Sequence, residues 1–117
     1  MDLYGQTVAQ SRQWEQSLRF CQMASRGAPG DPFGYEAMAG LSVRLGKLGD
    51  ARAALENGLE VAPDAWALYP ALAKVLVDSG RPSEARHWLE VGLVLARRKA
   101  DDRAADRLRQ ALDRTPS

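Results

Sequence analysis

GKLGDARAALENGLEVAP, residues 46–63, returns 34 residues later as GRPSEARHWLEVGLVLAR, residues 80–97. The two stretches share Gly46/Gly80, Ala51/Ala85, Arg52/Arg86, Leu55/Leu89, Glu56/Glu90, Gly58/Gly92, Leu59/Leu93 and Ala62/Ala96. Small and apolar residues held at one fixed spacing are the mark of a repeat architecture. A further step of 34 back from Pro63 reaches Pro29, the end of RQWEQSLRFCQMASRGAP. The same step forward reaches Arg97. Three copies are therefore in phase, beginning near Met1, near Pro32 and near Trp66.

Apolar residues recur at helical spacing along the chain, and no stretch alternates long enough for a strand. Turn signals fall at RGAPGDP (26–32), LGKLGD (45–50), APDA (62–65) and SGRPSE (79–84). Asp31 and Asp64 stand where helix N-caps belong, and Gly46 and Gly80 where helices end. Ser83-Glu84-Ala85 opens a further helix, with Pro82 closing the turn before it. The spacing predicts helix pairs at about 2–11/14–27, 32–45/49–61 and 66–79/83–97, then a last helix to about Leu112. In that last segment Ala100, Ala104, Leu108, Ala111 and Leu112 form one narrow apolar stripe, suited to a solvating cap. A break near Lys99 to Asp101 is expected before it, with Asp101 or Asp102 as its cap.

These residues resemble the tetratricopeptide repeat family, a helix–turn–helix unit of 34 residues. The middle copy matches it at Tyr35, Met38, Ala39, Gly46, Ala51, Leu55, Gly58 and Pro63, and the next at Tyr69, Leu72, Ala73, Leu76, Gly80, Ala85, Leu89 and Gly92. The first copy fits less well: Tyr4, Gly5, Val8, Ser17, Cys21, Ala24 and Pro29 agree, but Arg12 replaces the turn glycine. The resemblance implies an all-α solenoid of three helix pairs, the first truncated, plus a C-terminal capping helix. As one domain over 1–117, its repeats run about 1–31, 32–65 and 66–99, with the cap at about 100–113. Ala39, Ala73, Ala51 and Ala85 are small enough for the helices of a pair to approach. Gly58 and Gly92 are expected to admit the next unit's first helix. Leu55, Leu59, Leu89 and Leu93 supply the area buried between units, at about 25 cal/mol per Å².

Composition narrows the function. A chain of 117 residues, 45% hydrophobic and 26% charged, can bury one core, and a net charge of +1 gives no long-range pull on phosphate backbones. A lone cysteine, Cys21, forms no internal disulfide and fits a reducing compartment. With no basic-then-apolar N-terminal run to read as a signal peptide, a cytoplasmic setting is expected. Cys21 falls where its sister copies carry Leu55 and Leu89, so it reads as a small core residue. The single histidine, His87, has no ligand-spaced carboxylate and reads as a surface residue. Ser79, Ser83 and Thr115 read as caps. The basic run at Arg97 to Lys99, with Arg103, Arg107, Arg109 and Arg114, is interleaved with Asp101, Asp102, Asp106 and Asp113 and reads as a solvated face. Trp14, Trp66 and Trp88 pack between helices better than they form a stacking platform, with Trp66 the most exposed. Neither an enzyme, a metal, a cofactor nor a nucleic-acid partner is expected.

What the resemblance implies is binding along the concave face made by first helices. Projected onto this chain, that groove is Gln6 and Gln10, then Phe33, Glu36, Gly40, Val43 and Arg44, then Pro70, Lys74, Val77 and Asp78. Family members that grip heat-shock chaperone tails use a clamp of lysine, arginine and asparagine; the matching places here hold Asp2, Gln6, Ala37, Ala67 and Ala71. The trough suits an apolar or amphipathic segment, helical or extended, of another protein. An adaptor or assembly chaperone of bacterial type is the expected role. A structural subunit of a larger, or self-associating, assembly and a regulator of a catalytic partner are the alternatives. Pro70 either bends its helix or lies in the first turn of one that starts near Leu68. Counting by 34 starts the first helix before Met1, so Leu3, Tyr4 and Val8 form a thin lid over Trp14, Leu18 and Cys21. That end is expected to dock another helix, with Tyr4 and Trp14 near the contact.

Overall fold

A computed structural model describes residues 32–116 and, before them, residues 12, 13, 15–17, 19 and 23, the latter all in helical backbone conformation. The described residues form five complete helices and no strand: α1 Pro32–Arg44, α2 Leu48–Val61, α3 Leu68–Asp78, α4 Pro82–Arg98 and α5 Asp102–Arg114. Each helix packs on the next in chain order, α1 on α2, α2 on α3, α3 on α4 and α4 on α5. This series stacking is that of a solenoid.

The helix ends follow from a few residues. After α1, Gly46 takes φ 77°, so its own N–H reaches the Val43 carbonyl (3.0 Å) and the Lys47 N–H reaches Ser42 (2.8 Å). After α3, Gly80 repeats this at φ 77°, with bonds from Gly80 to Val77 (3.0 Å) and from Arg81 to Leu76 (2.8 Å). Both are left-handed caps that satisfy the last carbonyls of the helix. The expected break after α4 is present and uses the same pattern, Ala100 to Arg97 (3.1 Å) and Asp101 to Ala96 (2.9 Å), with alanine at φ 55° in the glycine's place. Asp101 then caps α5, its Oδ1 accepting from the Ala104 N–H at 3.1 Å.

Several expected starts are corrected. α3 begins at Leu68 rather than residue 66, and Asp64 does not cap it; the position before the helix is Ala67, which offers no side-chain acceptor. Residues 62–69 instead wind through short turns, Ala65 to Ala62 and Leu68 to Ala65, each at 3.0 Å. Pro70 is thus the third residue of α3, where an N–H has no partner within the helix, so its ring removes no bond. Pro82 is the first residue of α4 rather than part of the turn, and Ser83 lies inside the helix instead of capping it. Ser79 and Thr115 do close C-termini, with their hydroxyls donating to Val75 (2.8 Å) and Ala111 (2.7 Å). Ala100, expected in the apolar stripe of α5, is exposed in the turn; the stripe is buried Ala104, Leu108 and Leu112 with half-buried Ala111, which also packs against the core.

The core runs the length of the stack: Ala51, Leu55 and Leu59 of α2, Leu68, Tyr69, Leu72 and Leu76 of α3, Ala85, Leu89 and Ala96 of α4, then α5. Two glycines set how closely helices approach. A Cβ on Gly58 would lie 2.8 Å from Leu68 Cδ1 and 3.0 Å from Tyr35 Cβ. On Gly92 it would meet the Tyr69 ring at 2.8 to 3.0 Å. Gly58 therefore admits the next unit's first helix, as expected; Gly92 instead accommodates an aromatic ring from its own pair. Asp31 and Cys21 lie outside the described residues.

Candidate functional site

The concave side carries a trough of about 340 Å³ between α1 and α3. Its floor is Ala39, Gly40 and Val43 of α1, Leu55 of α2, and Ala71 and Val75 of α3. Charged side chains rim it in opposed pairs, Glu36 and Arg44 on α1, Lys74 and Asp78 on α3. Helical periodicity produces the row on each side: residues 36, 40, 43 and 44 share one face of α1, and 71, 74, 75 and 78 one face of α3. Two carboxylates and two cations leave the rim balanced around an apolar floor. Such a surface favours an apolar segment with polar flanks over a highly charged one.

Six residues expected in the groove meet there: Glu36, Gly40, Val43, Arg44, Lys74 and Asp78. Two do not. Val77 is half-buried and packs against the core, and Pro70, also half-buried, lies at the start of α3 away from the trough. Gln6, Gln10 and the Phe33 side chain lie outside the described residues, as do Tyr4 and Trp14 of the expected docking end. Leu55 and Val75 are floor residues that the sequence pattern does not single out. Both are buried, and their edges reach the floor because a residue at a helix pair's seam borders both faces.

Gly40 is the unusual member. A mid-helix glycine costs about 1 kcal/mol relative to alanine. At Gly58 and Gly92 neighbouring side chains demand that cost, but a Cβ on Gly40 would meet nothing within 4 Å. Intramolecular packing does not require a glycine in the floor.

Several polar contacts away from the trough are structural in character. The Trp66 indole donates to Asp101 Oδ2 at 2.9 Å and stacks near Tyr69, with centroids 6.2 Å apart, tying the start of α3 to the cap of α5. Tyr69 donates its hydroxyl to the Pro63 carbonyl at 2.6 Å, and burial, with Asp64 nearby, holds its phenol above the ordinary tyrosine range. Arg52 reaches Glu56 and Glu84, both at 2.8 Å. Among the described residues, no three His, Cys, Asp or Glu side chains converge as a metal site would need. No helix among them is long and apolar enough to cross a membrane.

Comparison with known proteins bears on this geometry. No curated protein matches the chain. Solved structures share its fold, among them the following two. The complex of the TPR2B domain of yeast Sti1 with pHsp70 has a TM-score of 0.72 at 18% identity, over 86% of this chain and 81% of that one. SycD, the type III secretion translocator chaperone of Yersinia enterocolitica, has a TM-score of 0.69 at 17% identity, over 90% and 73%. At such identities the likeness speaks for the fold alone. The tetratricopeptide repeat model matches residues 42–112, more than half the chain. With its stacked helix pairs, glycine-closed turns and concave trough, the chain belongs to the tetratricopeptide repeat family.

Proposed function

We propose that the protein is a non-enzymatic binding module, an adaptor or assembly chaperone, that holds an apolar or amphipathic segment of another protein in the α1/α3 trough. Its units are read as about 1–31, 32–65 and 66–99, with a cap at about 100–113. The two structural neighbours, one in complex with pHsp70 and one a translocator chaperone, support a chaperone-like role in general terms. The observation that carries the reading is Gly40. A helix-weakening residue with open space above it, centred in an apolar floor, leaves room for a partner's backbone to lie close to α1. A lysine, arginine and asparagine clamp for an acidic tail is not what Ala37, Ala67 and Ala71 offer.

The test fills that space. Gly40→Trp should abolish capture of the native partner while leaving thermal stability at or above that of the parent, because the new side chain projects into the trough. Gly40→Ala should retain capture and gain up to about 1 kcal/mol in stability. Undiminished capture by Gly40→Trp would move the binding site off the concave face. A paired Val43 and Val77 charge change is a poorer probe, since both side chains pack partly against the core.

A further inference from the structure

The outward face of α4 carries an apolar stripe that the fold uses only in part: Val91 and Leu95 are half-buried against the core, while Val94 stands clear of it. His87, Glu90, Val91, Val94, Leu95 and Arg98 border one shallow depression there, and Val94 is 48% exposed. The repeat supplies its own control. The positions 34 residues earlier, on α2, are Ala53, Glu56, Asn57, Glu60, Val61 and Asp64. On that face Asn57 and Glu60 are exposed where α4 has half-buried Val91 and exposed Val94, and exposed Val61 stands where α4 has half-buried Leu95. Core contact accounts for Val91, but Val94 has exposed Glu60 as its counterpart and no core contact, so it answers some other need. Contiguous exposed apolar surface marks interaction sites.

The charges on this stripe point to what covers it. Residues 87, 91, 94 and 98 follow the i, i+4, i+7, i+11 spacing of a helix–helix seam, with Glu90 on its early flank and Arg97 on the same flank a heptad later. On α2, Arg52 occupies Glu56 at 2.8 Å; on α4, the equivalent Arg86 turns away to the carbonyls of Leu112 (3.2 Å) and Thr115 (3.1 Å). Among the described residues, Glu90 forms no ion pair, and neither do Arg97 and Arg98. One face thus has an acid toward its beginning, bases at its end and valines between. An antiparallel copy of the same helix is its electrostatic and apolar complement.

We propose that two copies of this chain associate about a twofold axis through α4. Val91 of each copy packs on Val94 of the other, and Glu90 faces Arg97 and Arg98 across the seam. The contact is isologous, so each favourable pair occurs twice. One helix face per copy falls below about 1,200 Å², the size of weak, transient interfaces, so a micromolar dimer is expected. The proposal is independent of the trough.

Sedimentation of the purified chain from about 1 µM to about 1 mM should show a reversible monomer–dimer equilibrium. Giving α4 the α2 residue at its exposed valine, Val94→Glu, should weaken it tenfold or more with the melting temperature little changed. Glu90→Arg alone, or Arg97→Glu with Arg98→Glu, should each weaken self-association. A 1:1 mixture of those two proteins should restore it, because every substituted side chain then faces charge of the opposite sign across the seam. Gly40→Trp should leave it unaltered. A monomer at every concentration, a dimer insensitive to Val94→Glu, or a mixture no tighter than its components would each overturn the proposal.

Discussion

α2 and α4 are the same helix written twice, and apart from buried Ala54, which becomes Trp88, they differ mainly on the outer side. Facing inward, Ala51/Ala85, Leu55/Leu89, Gly58/Gly92 and Leu59/Leu93 are identical and all buried. Facing outward, polar Asn57 and Glu60 become Val91 and Val94. The fold dictates the inner set, because an added methylene in a close-packed seam is felt at once. It constrains the outer set less: Val91 still touches the core, but Val94 is exposed where α2 has a glutamate. Within one chain, then, agreement between copies reports on packing, and an exposed difference such as Glu60/Val94 on what each copy touches beyond the stack.

The sharpest way to break this comparison is to enlarge the shared glycines. Gly92→Ala places a Cβ within 3.0 Å of three ring atoms of Tyr69, a buried ring whose hydroxyl is already fixed on Pro63. Gly58→Ala meets the tip of Leu68 and the Cβ of Tyr35. Overpacking of this kind costs about 1–3 kcal/mol, more than the helix-propensity gain of about 1 kcal/mol. Both variants should be destabilised in urea unfolding, Gly92→Ala more so, because a ring pinned at both ends yields less than a leucine methyl. Gly58→Leu should exceed Gly58→Ala. Equal or raised stability for Gly92→Ala would mean that the identical inner residues are not there for packing.

The inner set is also what is legible in the sequence. A 34-residue echo places Tyr35, Ala39, Leu55 and Gly58 on the core side without reference to any contact, because packing imposes the period. The trough follows from the same count, and six of its expected residues do meet. Details set by local competition are harder to read. Asp64 has the chemistry of an N-cap, but Pro63-Asp64-Ala65 winds into turns that the Tyr69 hydroxyl anchors, and the helix starts four residues later. Val77 shares a repeat position with Val43, yet it packs on the core and does not line the trough. The stripe on α4 has its own sequence signal, the loss of polarity at 91 and 94 relative to 57 and 60, but only the structure separates Val91, which touches the core, from Val94, which is exposed.

A second pair of regions differs by a single methyl group. Gly46, Gly80 and Ala100 close three helices with the same two backbone bonds, but alanine pays a steric cost in the left-handed region that glycine escapes. Ala100→Gly should therefore stabilise the protein by about 0.5–1 kcal/mol, part of the relief being offset by the greater freedom of glycine in the unfolded chain. Differential scanning calorimetry would read it as a small rise in melting temperature. A fall would show that the α4/α5 turn is held by Asp101 and Trp66 alone, with no strain at Ala100 to relieve.

The smallest expected difference separates the two equivalent arginines. Arg52 ties α2 to Glu84 at the start of α4, whereas Arg86 ties α4 to the carbonyls of Leu112 and Thr115 at the end of α5. Only the first junction contains a group that titrates in acid. The hydrogen bond from Arg81, with Arg52 close by, holds the Glu84 carboxyl below its ordinary value of 4.5, against an opposing effect of desolvation. A carboxyl held low when folded binds its proton more readily when unfolded. Its contribution is therefore complete above pH 4.5 and disappears as pH falls through the lower, folded value. The side chain is solvent-accessible, so salt should weaken the effect further. Melting curves between about pH 6 and about pH 3 should show a shallower acid decline for Glu84→Gln than for the parent, and the gap should narrow in high salt. Arg86→Ala should instead loosen α5 by about the same amount at every pH in that range, because backbone carbonyls do not titrate there. An acid limb identical in Glu84→Gln and the parent would remove the distinction between the two junctions and leave the arginines as interchangeable struts.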